Sequence, residues 1–140
     1  MGRTVTDEVG NRTAEHRPIW IVEDEPAAAK LAADLCAARG AEAAVFNTPL
    51  PYLTALRSVD APTAVILDWR LENELSAALY LATRHRYPQL PVIYWTGSVS
   101  SNLPEMVRGD TMTVVVDKAD GSVPFERALS WALDGAATGS

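Results

Sequence analysis

The chain has 140 residues, 48% of them hydrophobic, with a formal net charge of −6 and a single cysteine, Cys36. This length suits one domain with a sizeable core, and the acidic balance argues against direct nucleic-acid binding, which needs clusters of Lys and Arg. No stretch approaches the roughly 20 apolar residues of a membrane span, and residues 1–17 lack an apolar signal segment, so we expect a cytoplasmic protein without membrane contact.

Strand-like and helix-like segments alternate along the chain. Residues 1–17 show no periodicity and are interpreted as a flexible arm. Pro26 and Gly40 are typical of the start and the stop of the first helix. The pattern then predicts, in order, strand 19–22, helix 27–39, strand 42–46, helix 50–58, strand 64–67, helix 75–85, strand 92–95, helix 104–108, strand 113–116 and helix 124–133. This alternation indicates an α/β domain with a parallel sheet and helices on both faces.

Polar residues follow four of the five predicted strands. Glu23 and Asp24 follow the first strand, Asp68 the third, Thr96 the fourth, and Lys118 lies just beyond the fifth. The carboxyl ends of parallel strands share one edge of a sheet, where ligands bind beside the point at which strand order reverses. Clustered carboxylates suit a hard divalent cation, and a lysine with a hydroxyl suits an anion. The sequence therefore predicts a site for Mg²⁺ and a phosphoryl group.

These segments also resemble a known family. The runs 19–26, 65–68, 91–97 and 114–118 are similar to the first, third, fourth and fifth strands of response-regulator receiver (CheY-like) domains of two-component signalling systems. The spacings are receiver-like as well: 44 positions from Asp24 to Asp68, 28 from Asp68 to Thr96, and 22 from Thr96 to Lys118. The resemblance covers residues 18–134, which we interpret as one receiver domain followed by a flexible tail at 135–140.

The resemblance implies a flavodoxin-like, doubly wound sheet of five parallel strands in the order 2-1-3-4-5 with five helices. It implies a phosphoacceptor rather than an enzyme, with slow self-dephosphorylation expected. A histidine kinase or a histidine phosphotransfer protein would donate the phosphoryl group. The sequence does not identify the downstream protein partner, and a weak homodimer is compatible with it. It also leaves open whether this is a stand-alone regulator or one domain of a longer chain.

Matched residue by residue, the resemblance implies a Mg²⁺ site. Asp24 and Asp68 would each supply a carboxylate oxygen, and Glu23 would act directly or through a water. The backbone carbonyl of Arg70 matches the family's remaining protein ligand. This small ligand set suits Mg²⁺, which keeps several waters.

The same resemblance implies roles in phosphoryl transfer. Asp68 would be the phosphoacceptor, Lys118 would pair first with Asp68 and then with a phosphoryl oxygen, and Thr96 would donate a hydroxyl hydrogen bond to another. Two positions depart from the family pattern: Ala119 replaces the proline after the lysine, and Val115 replaces the aromatic residue three positions before it. We therefore expect a trans peptide after Lys118 and an altered or weak relay from Thr96 toward the fourth helix.

Two alternatives stay open. A degenerate receiver that binds partners without phosphorylation would share this fold, and Ala119 and Val115 lend it weight. A Mg²⁺-dependent phosphohydrolase with an Asp nucleophile would need a second Asp two positions after Asp68, where this chain has Arg70.

Overall fold

The computed structural model describes residues 17–58, 60–68, 73–97 and 105–139. Five strands form one sheet: β1 (Ile19–Val22), β2 (Ala43–Phe46), β3 (Ala64–Leu67), β4 (Val92–Thr96) and β5 (Thr113–Asp117). The described α-helices are α1 (Pro26–Ala38), α2 (Pro49–Ala55), α3 (Asn73–Arg86), α4 (Glu105–Arg108) and α5 (Ser122–Gly139), and a 3₁₀ turn covers Lys118–Asp120.

All strands are parallel and lie in the order β2-β1-β3-β4-β5, which confirms the predicted topology. The register aligns Val22 of β1 with Leu67 of β3, and Leu67 with Tyr94 of β4. Every residue of β1, β3 and β4 is buried, as expected for parallel strands that are covered on both faces. The strands therefore end together at one edge of the sheet.

The two faces of the sheet carry separate core layers. One layer packs β-strand side chains against α2, α3 and α4 and is rich in aromatic rings, among them Trp20, Tyr52 and Tyr94. The other packs against α1 and α5 and contains Trp95 and Phe125. Cys36 belongs to this second layer and is fully buried, as its place on α1 predicts. None of the helices in the described residues is long and apolar enough to cross a membrane.

Several helix limits differ from the prediction. Helix α2 ends at Ala55 rather than near 58, and α3 begins at Asn73 rather than 75. Helix α5 begins at Ser122 and continues to Gly139, past the predicted end at 133. Ala136 and Ala137 favour helix strongly, and a single interior glycine costs only about 1 kcal/mol, so Gly135 does not end α5. The 3₁₀ turn after β5 was not predicted.

A polar network fastens α3 to the loop before β5. The Arg84 guanidinium lies 2.9 Å from a carboxylate oxygen of Asp110 and donates to the carbonyl of Leu90 at 2.7 Å. Asp110 also accepts hydrogen bonds from the Tyr80 hydroxyl and, at 2.8 Å, from the amide of Met112. Burial alone would raise the pKa of Asp110, but these hydrogen bonds and Arg84 lower it below its ordinary value.

We expect Asp110→Ala to lower the free energy of unfolding by roughly 2–4 kcal/mol, because it removes the carboxylate partner of a mostly buried guanidinium and the acceptor of the Tyr80 phenol. Because the folded pKa of Asp110 is lowered, its contribution is complete above the unfolded pKa, about 3.9, and is lost as pH falls through the folded pKa. Urea unfolding at pH 7 and at acid pH measures both effects.

The matched control is Asp34→Ala, which breaks the exposed ion pair of Lys30 and Asp34 on α1. Exposed pairs of this kind contribute less than about 1 kcal/mol. Equal losses in Asp34→Ala and Asp110→Ala would contradict a structural role for the network.

Candidate functional site

Three carboxylates converge where β1 and β3 end. One oxygen each of Glu23, Asp24 and Asp68 lies within 4.8 Å of the others. The strand hydrogen bonds continue one residue past each strand, since the amide of Asp68 donates to Val22 O and that of Glu23 to Phe46 O, both at 3.0 Å. This backbone pairing buries Glu23 and Asp68, each 1% exposed, and leaves Asp24 exposed.

Lys118 reaches the same cluster from the end of β5. Its ammonium lies 2.9 Å from Glu23 Oε1 and 3.5 Å from Asp68 Oδ1. The 3₁₀ turn that carries it is capped by Asp117, whose Oδ1 accepts from the amide of Ala119 at 2.8 Å. The peptide bond from Lys118 to Ala119 is trans, as predicted. The shorter contact of Lys118 is with Glu23, whereas the resemblance implied a first pairing with Asp68.

Thr96 ends β4, between the strands that present Asp68 and Lys118. It pairs with Asp117 in the β4–β5 register and is 1% exposed. Gly97 follows and is exposed. The hydroxyl is thus placed on the same edge of the sheet as the carboxylates and the ammonium.

The buried carboxylates carry more negative charge than one ammonium offsets. Burial, the hydrogen bond with Asp68 and the charge of Asp68 raise the pKa of Glu23 to about 7, although Lys118 acts in the opposite direction. Two buried acids and an exposed third, all oxygen donors, are the donor set that a hard divalent cation requires. The residues present therefore fit Mg²⁺.

Two contacts at the site were missed by the sequence interpretation. The Ser76 hydroxyl, in the first turns of α3, donates to the backbone carbonyl of Asp68 at 3.1 Å. The ammonium of Lys118 also lies over the ring of Trp95, a contact that the sequence interpretation did not include. The one sequence feature that could have indicated this contact is the position of Trp95 directly before Thr96. Arg70, the remaining predicted metal ligand, lies outside the described residues.

Several solved structures that share this fold are described as receiver domains or receiver proteins. A CheY-like response regulator receiver domain protein from Methanospirillum hungatei JF-1 has a TM-score of 0.76 and 16% identity, over 89% of this chain and 99% of that one. The signal receiver domain of a putative Luxo repressor protein from Vibrio parahaemolyticus has a TM-score of 0.74 and 15% identity, over 88% and 94% of the two chains.

A response regulator receiver protein from Sinorhizobium medicae WSM419 has a TM-score of 0.70 and 17% identity, covering 87% of this chain and 98% of that one. No family model matches the sequence, and no curated protein matches it. At sequence identities this low, the similarity to these structures concerns the fold alone. The chain has the CheY-like fold of response-regulator receiver domains, in which the four motif-bearing strands of the sequence occupy the expected places.

Proposed function

We propose that this protein is a phosphoacceptor receiver in a two-component or phosphorelay system, phosphorylated on Asp68. The observation that carries the proposal is the convergence on Asp68: the oxygens of Glu23 and Asp24 lie within 4.8 Å of its carboxylate and the Lys118 ammonium within 3.5 Å. A carboxylate placed beside both a cation site and an ammonium can attack phosphorus while the charge on the phosphoryl oxygens is neutralised.

Asp24, Asp68 and Glu23 would hold Mg²⁺, with the carbonyl of Arg70 as a further ligand. When bound, the ion would neutralise charge on the transferring phosphoryl oxygens. The exposed carboxylate of Asp24 leaves the cation side of the site accessible from solvent.

The other roles belong to the side chains at the ends of β4 and β5. A carboxylate oxygen of Asp68 forms the new bond to phosphorus as the bond to the donor imidazole breaks. Lys118 would then exchange its contact with Asp68 for one with a phosphoryl oxygen, and Thr96 would donate its hydroxyl to another. These steps position groups and stabilise charge, which is the main source of catalysis in phosphoryl transfer.

The phosphodonor would be a histidine kinase or a histidine phosphotransfer protein, and the setting the cytoplasm. The protein would act as a signal-transduction phosphoprotein rather than an enzyme that turns over substrate. The receiver fold of the neighbouring structures supports this assignment.

One observation favours a second candidate, a degenerate receiver that binds partners without phosphorylation. Lys118 contacts Glu23 at 2.9 Å, closer than its 3.5 Å to Asp68. An ammonium held mainly by Glu23 would be less available to a phosphoryl group.

Incubation with Mg²⁺ and acetyl phosphate, followed by intact mass spectrometry, separates these functions. A phosphoacceptor gains one phosphoryl group in the presence of Mg²⁺ and none when EDTA replaces Mg²⁺. A hydrolase consumes acetyl phosphate continuously without retaining label, and a degenerate receiver shows neither change. The last two results would each refute the proposal.

A further inference from the structure

The side chain of Lys118 lies across the face of an indole ring. Its Nζ is 4.9 Å from the ring centroid of Trp95, within the range of about 6 Å in which a ring face attracts a cation. The Lys118 side chain is 16% exposed and Trp95 is 4% exposed. Because the ammonium is largely removed from water, this attraction is stronger than it would be on an open surface.

Packing holds the ring in this orientation. Trp95 lies on β4 opposite Val116 of β5, and its ring packs on that of Phe125 from α5 with centroids 4.6 Å apart and planes tilted by 33°. The buried indole Nε1 has no hydrogen-bond partner among the described residues. The position of the ring is thus set by the β4–β5 register and by Phe125, not by a polar contact.

The ring limits where the ammonium can go. Lysine has a flexible four-carbon stem and three donors, and both Glu23 and Asp68 are within its reach. An ammonium held over the Trp95 ring has fewer arrangements open to it than one that moves freely in water. Less conformational entropy is therefore lost when the ammonium binds an incoming phosphoryl oxygen.

We propose that Trp95 is a positioning residue of this site, whose ring face holds the Lys118 ammonium where it meets the incoming phosphoryl oxygen. This role rests on the proposed function of Asp68 as phosphoacceptor. The contact between ring and ammonium can nevertheless be measured without any phosphoryl transfer.

The chain has two lysines, Lys30 and Lys118, so selective ¹³C labelling of lysine yields two sets of NMR signals. Lys30 is 76% exposed and serves as the internal reference. In the wild type, the ε-methylene protons of Lys118 are expected upfield of those of Lys30, shifted by the ring current of Trp95. Trp95→Leu should remove that difference, and Trp95→Phe, which keeps an aromatic face, should retain part of it.

Trp20→Leu is the matched control. Trp20 is also buried, at 6% exposed, but it packs on Phe46 and Tyr52 in the core layer on the opposite face of the sheet. The Trp20→Leu variant therefore loses a comparable volume from the core and leaves the contacts of Lys118 unchanged. The proposal would be overturned if the Lys118 signals stayed upfield in Trp95→Leu. It would also be overturned if they changed as much in Trp20→Leu as in Trp95→Leu.

Phosphorylation by acetyl phosphate supplies the second readout. Trp95→Leu should slow labelling of Asp68 by roughly five- to thirtyfold, the range between an exposed and a desolvated cation–ring contact, with Trp95→Phe closer to the wild type. Equal slowing in Trp20→Leu would assign the effect to stability instead. A wild type that shows the shifted Lys118 signals but takes up no phosphoryl group would refute the function of Asp68 while the ring contact stands.

Discussion

Asp68→Asn is expected to abolish phosphorylation and to leave the fold intact. The carboxylate oxygen is the nucleophile in the proposed reaction, and a carboxamide cannot replace it. Because Asp68 helps to raise the pKa of Glu23, the substitution also relieves repulsion between buried acids. The melting temperature should therefore be no lower than that of the wild type, as followed by circular dichroism.

Asp34→Asn is the control for this test, because Asp34 is exposed on α1 and pairs there with Lys30 rather than with a residue of the site. That variant should accept one phosphoryl group as the wild type does. Stable label on Asp68→Asn, located elsewhere by peptide mapping, would remove Asp68 from the role of phosphoacceptor.

Asp24→Ala is expected to weaken Mg²⁺ binding by roughly tenfold or more, since losing even an outer contact of a metal site costs 10- to 100-fold. Trp95 lies beside Lys118, and Lys118 contacts Glu23 and Asp68. Indole fluorescence should therefore report binding of the ion in a Mg²⁺ titration. Trp69, which follows Asp68 directly, would add to the same signal.

Glu25→Ala is the matched control for Asp24→Ala. Glu25 is the next residue, is exposed, and contributes no oxygen to the carboxylate cluster of the described residues. Both variants lose one negative charge, so a similar weakening in the two would indicate a general charge effect. A normal titration of Asp24→Ala would falsify the metal assignment.

The alternation of strand-like and helix-like segments was enough to predict an α/β domain with a parallel sheet, and the resemblance to receiver domains supplied the strand order 2-1-3-4-5. Every residue of β1, β3 and β4 is buried, and such apolar runs are distinctive of parallel strands covered on both faces. Helix ends were predicted less well. The last helix was predicted to end at Leu133, but helix α5 continues to Gly139. Local propensity is a weak determinant of where a helix ends, because packing of its apolar face contributes more.

The sequence by itself determined which polar groups meet. Asp68 and Lys118 follow strands of one parallel sheet, so their approach to the carboxylates after β1 is a consequence of strand direction, and Thr96 lies on the same edge. Their roles in phosphoryl transfer stay predictions. Only the tertiary structure decided how the groups share contacts. Lys118 lies closer to Glu23 than to Asp68 and over the ring of Trp95. Those partners are far apart in sequence, and side-chain distances of this kind depend on the register and packing of the whole sheet, which no local pattern encodes.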